Sequence, residues 1–231
     1  MKNLSIIYYV LVALLTSSIT IAQPAFQESP TQEYISSRTV NLMDDANDYT
    51  GSPYHQKDFL KGSILVDEKI IALNQEVRYN VTKEEFEIKD PNIRESKIVK
   101  TVIRDKNIGI KIGDISYEYI SSSENGLRGY FIPLFKGEKH SLFKKIKKKY
   151  APAQKAYSSM ASNTKANYTE KEILYLVNEK GVFIELPSSK GKKIKAFGNL
   201  KEEVKTYTKK NRLNINREKD LIQVIAYLES L

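Results

Sequence analysis

The sequence predicts an α+β fold: an antiparallel, twisted or curled β-sheet in meander order, followed by two C-terminal α-helices. Three observations predict it. Short runs rich in Ile, Val, Tyr and Phe recur between Phe59 and Leu186, broken by turns that carry Gly, Asn, Asp or Pro. Beyond them, Leu221, Ile222, Ile225 and Leu228 follow one another at helical spacing. The composition, 41% hydrophobic with fifteen tyrosines, eight phenylalanines and no tryptophan, suits a sheet-forming chain with a core to bury.

The chain opens with Lys2, an apolar run from Ile6 to Leu15, and small or polar residues ending Thr20-Ile21-Ala22. This is the pattern of a secretory signal peptide over 1–22, with Thr20 and Ala22 at the small-residue positions of a cleavage site. The run is about half of the ~20 residues that span a bilayer. There is no cysteine to carry a lipid or a disulfide, so an exported domain of this length must rely on its hydrophobic core. The expected location is periplasmic or extracellular, with no transmembrane segment in the mature chain. Residues 23–55 are polar and predict a poorly ordered lead segment. Within it, Asp44, Asp45, Asn47 and Asp48 suggest a calcium loop, but Gly51 is misplaced and no glutamate closes the set, so a polar turn is the reading.

The β domain is expected over 56–187. Phe59 to Val66 predicts its first strand, with a break at Asp67-Glu68 and resumption over Ile70 to Leu73. Tyr79 and Val81, then Phe86 and Ile88, recur at period two about Thr82 to Glu84, a hairpin with one buried face. Glu85 and Glu87 share the other face, where paired carboxylates would be candidates for an acid and a base; the reading is a solvated strand face. Asp90-Pro91-Asn92 predicts a turn, and Ile98 to Ile103 and Ile108 to Ile112 two strands about Arg104 to Asn107. From Ser116 to Tyr150 come three extended runs divided by Glu124-Asn125-Gly126 and Lys136-Gly137-Glu138, the centre of the meander. Ala151 to Thr169 predicts a linker or long loop, and Glu172 to Val177 with Val182 to Leu186 a second hairpin. Residues 188–231 hold the two helices, Leu200 to Asn211 with Asn199 as N-cap and Arg217 to about Glu229 with Asn216 as N-cap, after a basic loop over Pro187 to Lys193.

Charge is unevenly placed. Residues 23–135 carry 14 Lys and Arg against 18 Asp and Glu; residues 136–231 carry 22 against 10. Its sharpest concentration is Lys144, Lys145, Lys147, Lys148 and Lys149 around Ile146. Both parities of that run bear charge, as on an edge strand guarded against aggregation. The same five lysines are the candidate binding site for an anion or a partner, joined by Lys192, Lys193, Lys209 and Lys210 if these fold onto the same side.

Other chemistry lacks support. His55 and His140 stand far apart with no cysteine to complete a zinc set. There is no Gly-x-Ser-x-Gly elbow, Gly-x-Gly-x-x-Gly or Walker loop, and Lys190-Gly191-Lys192 lacks the upstream glycine of a phosphate-cradling loop. No cofactor or metal is implied, and nucleic acid is an unexpected partner for an exported chain.

Tyr49-Thr50-Gly51-Ser52-Pro53-Tyr54, Lys61-Gly62, Arg78-Tyr79-Asn80, the lysine-rich C-terminal segment closing on Leu221 to Leu231, and a leader ending Ala22-Gln23 together resemble uncharacterised secreted proteins of the Bacteroidetes lineage. That group has no established activity, so the resemblance implies a Gram-negative envelope location and no site residue. The leading expectation is an exported, non-catalytic interaction protein that binds an anionic envelope component or a protein partner through its basic C-terminal surface. Two alternatives stand beside it. One is a carrier of an apolar ligand inside the curved sheet, lined by Tyr117, Tyr119, Tyr130 and Phe131. The other is an enzyme on envelope polymer, using Glu85, Glu87 and Asp114.

Overall fold

The computed structural model describes residues 34–41, 49–90, 93, 97–122, 126–156 and 162–231. The predicted signal peptide, most of the lead segment, the Asp44–Asp48 cluster, and the turn positions Pro91, Asn92, Glu124 and Asn125 lie outside the described residues. Twelve strands are described: β1 (Ile35–Asn41), β2 (Tyr49–Thr50), β3 (Leu60–Val66), β4 (Lys69–Asn80), β5 (Glu85–Ile88), β6 (Ile98–Val102), β7 (Ile108–Ile112), β8 (Ile115–Ser121), β9 (Arg128–Phe135), β10 (His140–Ala151), β11 (Ala166–Asn178) and β12 (Phe183–Leu186). They are followed by α1 (Lys190–Lys195), a 3-10 turn (Gly198–Leu200), α2 (Lys201–Lys210) and α3 (Glu218–Glu229). The class is the expected one, a mostly antiparallel curled sheet with helices at the C-terminus. The helices number three rather than two, because the basic loop expected at Pro187 to Lys193 closes into α1 around Ile194. The lead segment also contributes structure. β1 pairs with β6, and β2 lies parallel to the start of β11.

The strand order is β1-β6-β5-β4-β3-β7-β8-β9-β10-β11-β12. Hence β6 and β7 are not partners, although a short connection joins them; β7 returns to the free side of β3. In a flat sheet those four steps would separate β6 from β7 by about 19 Å. The connection is not stretched, for Ile108 N–H donates to Asp105 O at 3.1 Å in a turn. The sheet must therefore curl to bring the two strands together.

The inside of the curl is filled by residues of β3 to β9 and by Ile146 of β10. Tyr79 stacks on Phe86 with centroids 4.8 Å apart, and Tyr117 and Tyr130 meet both rings edge-on or tilted at 4.8 to 5.6 Å. Ile64, Val77, Ile88, Ile110 and Ile146 close around them. The same face continues past Leu134 into a second cluster, where Leu142, Leu176 and Leu186 receive Val204 of α2 and Leu221, Val224, Ile225 and Leu228 of α3. The expected helical stripe thus covers the sheet, as its spacing requires. Tyr207 and Tyr227 stack at 3.9 Å and tie α2 to α3.

Neither expected asparagine caps its helix. Leu200 and Arg217 occupy the N-cap positions without a side-chain bond. At α3, Asp220 turns back instead to accept the Asn214 N–H at 2.8 Å. At the far end of α3, the Glu229 carboxylate accepts the N–H groups of Glu138, Lys139 and His140 at 2.7 to 3.1 Å, docking the helix on the β9–β10 turn. Those donors hold its carboxyl below the usual range.

Candidate functional site

The lysine-rich strand β10 is not an edge strand. It lies between β9 and β11, which corrects the expected edge. Its ladder with β9, however, covers only Leu142 to Lys144, whereas its ladder with β11 runs unbroken from His140 to Ala151. Beyond Lys144 the β10–β11 pair therefore departs from β9 as an arm, with β2 alongside Ala166 and Asn167 of β11. The reason is one carboxylate. Glu84, at the end of the β4–β5 turn with φ 51, accepts the Tyr130 N–H at 3.1 Å and the Tyr79 hydroxyl at 2.7 Å. The β9 amide group thus bonds to Glu84.

Alternation along β10 sorts the five lysines. Lys144 and Lys148 point to the inner face with Leu142 and Ile146, where each meets a glutamate. Lys144 Nζ lies 2.8 Å from Glu218 of α3 and 3.6 Å from Glu172, and Lys148 Nζ lies 2.8 Å from Glu170, directly across the ladder. Burial alone would raise the Glu170 carboxyl, but hydrogen bonds from Lys148 and His55 hold it below the usual range. Lys145 lies on the outer face but is only 3% exposed. Its ammonium sits 2.7 Å from Glu84, donates to Arg128 O at 3.1 Å and lies 4.5 Å above the Phe131 ring. Burial lowers its pKa, against the pull of Glu84.

Lys147 and Lys149 remain exposed on the outer face, and among the described residues no carboxylate pairs with either. Lys147 stands directly opposite Lys171 of β11, also exposed. Like charges facing each other across a ladder destabilise it, so stability does not account for this pair. The arm then continues to a bridge between Gln154 and Thr164, beside which Lys155 and Lys165 are exposed. From Lys147 to Thr169 the sequence holds five lysines and no Asp or Glu. The structure thus brings Lys147, Lys149 and Lys171 together and commits Lys144, Lys145 and Lys148 elsewhere.

The helical lysines are placed differently. The helices cover the inner face of the sheet, whereas Lys147, Lys149 and Lys171 lie on the outer one. Lys193 is buried and donates to Ile215 O at 3.2 Å; Lys192, Lys209 and Lys210 are exposed on the helices.

The residues named for the alternatives are dispersed. Glu85 and Glu87 are 2% and 0% exposed, not solvated as expected. Glu87 is held by Arg78 at 2.7 Å and Asn80 at 3.1 Å, under Tyr54 and Phe59, on which the Arg78 guanidinium is stacked. Burial and the nearby Glu87 push the Tyr54 hydroxyl up to about 12. Glu85 takes Arg38 and Arg104. Asp114 lies apart from both, at a cleft of about 430 Å³ with Lys144, Glu172 and Glu218 over Ile132 and Ile146. Of the aromatic set, Tyr117, Tyr119 and Tyr130 fill the curl, while Phe131 faces outward into a cluster with Phe143, Tyr175 and Phe183. His55 Nδ1 approaches Glu170 at 3.3 Å and His140 Nδ1 approaches Glu229 at 3.7 Å. Among the described residues no group of three His, Asp or Glu could hold a metal, and no helix is long and apolar enough to cross a membrane.

No protein-family model, curated protein or solved structure matches this chain.

Proposed function

We propose that this is an exported, non-catalytic interaction protein, and that the outer face of the β10–β11 arm binds an anionic component of the cell envelope. One observation carries the reading: Lys147 and Lys171 oppose each other across the ladder with no carboxylate, while each inner-face lysine of the same strand has a glutamate of its own. A strand that gives Lys144, Lys145 and Lys148 a glutamate each and leaves Lys147 and Lys149 without one keeps a positive field for something outside the chain. The site is Lys147, Lys149 and Lys171, with Lys155 and Lys165 extending it. A row of flexible ammonium groups suits a surface of repeated anionic groups rather than one shaped ligand.

The phosphate groups of a lipid surface are the first such target. Lysines near an anionic bilayer contribute about 1 kcal/mol each, so changing Lys147, Lys149 and Lys171 to Gln should weaken binding to anionic phospholipid vesicles roughly 100-fold. Binding should also fall steeply with salt, since these groups are solvent-exposed. Co-sedimentation of the chain from Gln23 onward with anionic and neutral vesicles, at low and high salt, measures both. Equal retention of wild type and triple variant would end this reading, and binding to an acidic protein but to no vesicle would replace the lipid by a protein partner.

A further inference from the structure

We propose a second site, for an aliphatic diamine or polyamine, in the cleft where β9 changes partners. Residues 128–131 of β9 pair with β8, whereas Ile132, Pro133 and Phe135 pair with β10. Ile115 and Ser116 of β8 and Ile146 of β10 lie past the ends of those ladders, so the two strands part. Between them is the cleft of about 430 Å³, within the ~300–1,000 Å³ of small-molecule sites. Ile115, Ile132, Pro133, Leu134 and Ile146 give it an apolar floor. Its charged lining comes from four places in the fold: Asp114 at the β7–β8 turn, Lys144 of β10, Glu172 of β11 and Glu218 in the first turn of α3.

This cleft is acidic in a chain whose net charge is +9. Three carboxylates line it, and its one lysine does not balance them. Lys144 Nζ is shared, 2.8 Å from Glu218 and 3.6 Å from Glu172, so one ammonium answers two carboxylates. His55, also in the lining, turns its Nδ1 to Glu170 at 3.3 Å. Among the described residues Asp114 has no ion-pair partner. Asp114 precedes β8 and Glu172 is on β11, with β9 and β10 between those strands in the sheet order. Negative charge therefore stands on both sides of the apolar floor. Among the described residues no three His, Asp or Glu come close enough to hold a metal ion. Carboxylates spread across an apolar floor suit a longer cation, with an ammonium at each end and methylenes between. Each ammonium is a compact charge with three donors, and the methylenes remove floor and stem from water together. A monoamine satisfies only one side. This site is apart from the outer face of the lysine arm, and cation binding here does not depend on anion binding there.

The test is calorimetric titration of the chain from Gln23 onward with cadaverine, with pentylamine and with magnesium chloride, at neutral pH and low salt. Cadaverine and pentylamine share a five-carbon stem and differ in the second ammonium. Cadaverine should bind saturably and about fivefold tighter than pentylamine, the factor one exposed ion pair supplies at most. Magnesium, which has charge but no stem, should not displace it at equal concentration. Asp114→Asn, at an exposed turn position, should bring cadaverine down to the affinity of pentylamine with the melting temperature unchanged. Glu172→Gln should act in the same way from the other side of the floor. Glu203→Gln removes an exposed carboxylate of α2 outside the cleft and should change nothing. Absence of saturable cadaverine binding, equal affinity for pentylamine, displacement by equimolar magnesium, or a loss in Glu203→Gln as large as in Asp114→Asn would each overturn the proposal.

Discussion

Lys145 and Lys147 are two residues apart on the same face of one strand, yet one is buried against Glu84 and the other is exposed opposite Lys171. What separates them is Gly129. A side chain there would place its Cβ 2.2 Å from the Glu84 carboxylate and 2.4 Å from the Lys145 ammonium, and the backbone stands at φ +125. Gly129→Ala should therefore cost more than ~1 kcal/mol and loosen the Glu84–Lys145 link. Gly113→Ala, where φ is positive but nothing lies within 4 Å, should cost less; urea unfolding of both variants measures the difference. Glu84→Gln leaves the Lys145 ammonium buried without its partner and should cost about 3–5 kcal/mol. Glu229 makes a prediction in pH. Its folded pKa is depressed, so the stability it contributes is full above its ordinary value of 4.5 and is lost as pH falls through the folded value. Melting temperatures of wild type and Glu229→Gln should thus differ at about pH 7 and converge towards about pH 3.

At the scale of elements, the strands were readable and their partners only partly so. Period-two alternation marks β5, β7 and β8 unaided, because one side of each faces the packed rings of the curl. β6 and β7 read as two strands about the turn at Arg104 to Asn107; that β7 pairs with β3 and not with β6 follows from the curl, which no local pattern encodes. β1 was hidden in a polar segment because its residues, Ile35 to Asn41, have no alternation strong enough to outweigh their polarity. The lysines of β10 were visible as a cluster, but their division into paired and unpaired sets needs the register against β11. The long connection from 152 to 165 carries no turn signature that would set it, so nothing local in the sequence places Lys171 opposite Lys147. Helix α3 was legible from its stripe, and its contribution is measurable. Ile225, fully buried in the cluster that holds Leu142 of β10 and Val204 of α2, should cost about 2–5 kcal/mol when changed to Ala.

Across the whole molecule, the curled sheet and its helices leave the two faces of the β10–β11 arm with different tasks. The inner face is tied to the body by Lys144–Glu218 and by His55 and Lys148 on Glu170. The outer face carries Lys147, Lys149 and Lys171, with which no carboxylate of the described residues pairs. The net charge of +9 is therefore less informative than its sorting, since lysines that neighbouring glutamates neutralise add little to the field a partner meets. The central claim is that the outer face, and not basic charge in general, does the binding. The most direct measurement compares two variants with altered charge, Lys147→Gln/Lys149→Gln/Lys171→Gln and Lys144→Gln/Lys148→Gln, for affinity to anionic vesicles and for melting temperature. The account predicts that the outer variant loses roughly 100-fold in affinity at an unchanged melting temperature. The inner one should lose stability and keep most of its affinity. Equal losses of affinity in proportion to charge removed, or no loss in the outer variant, would contradict it.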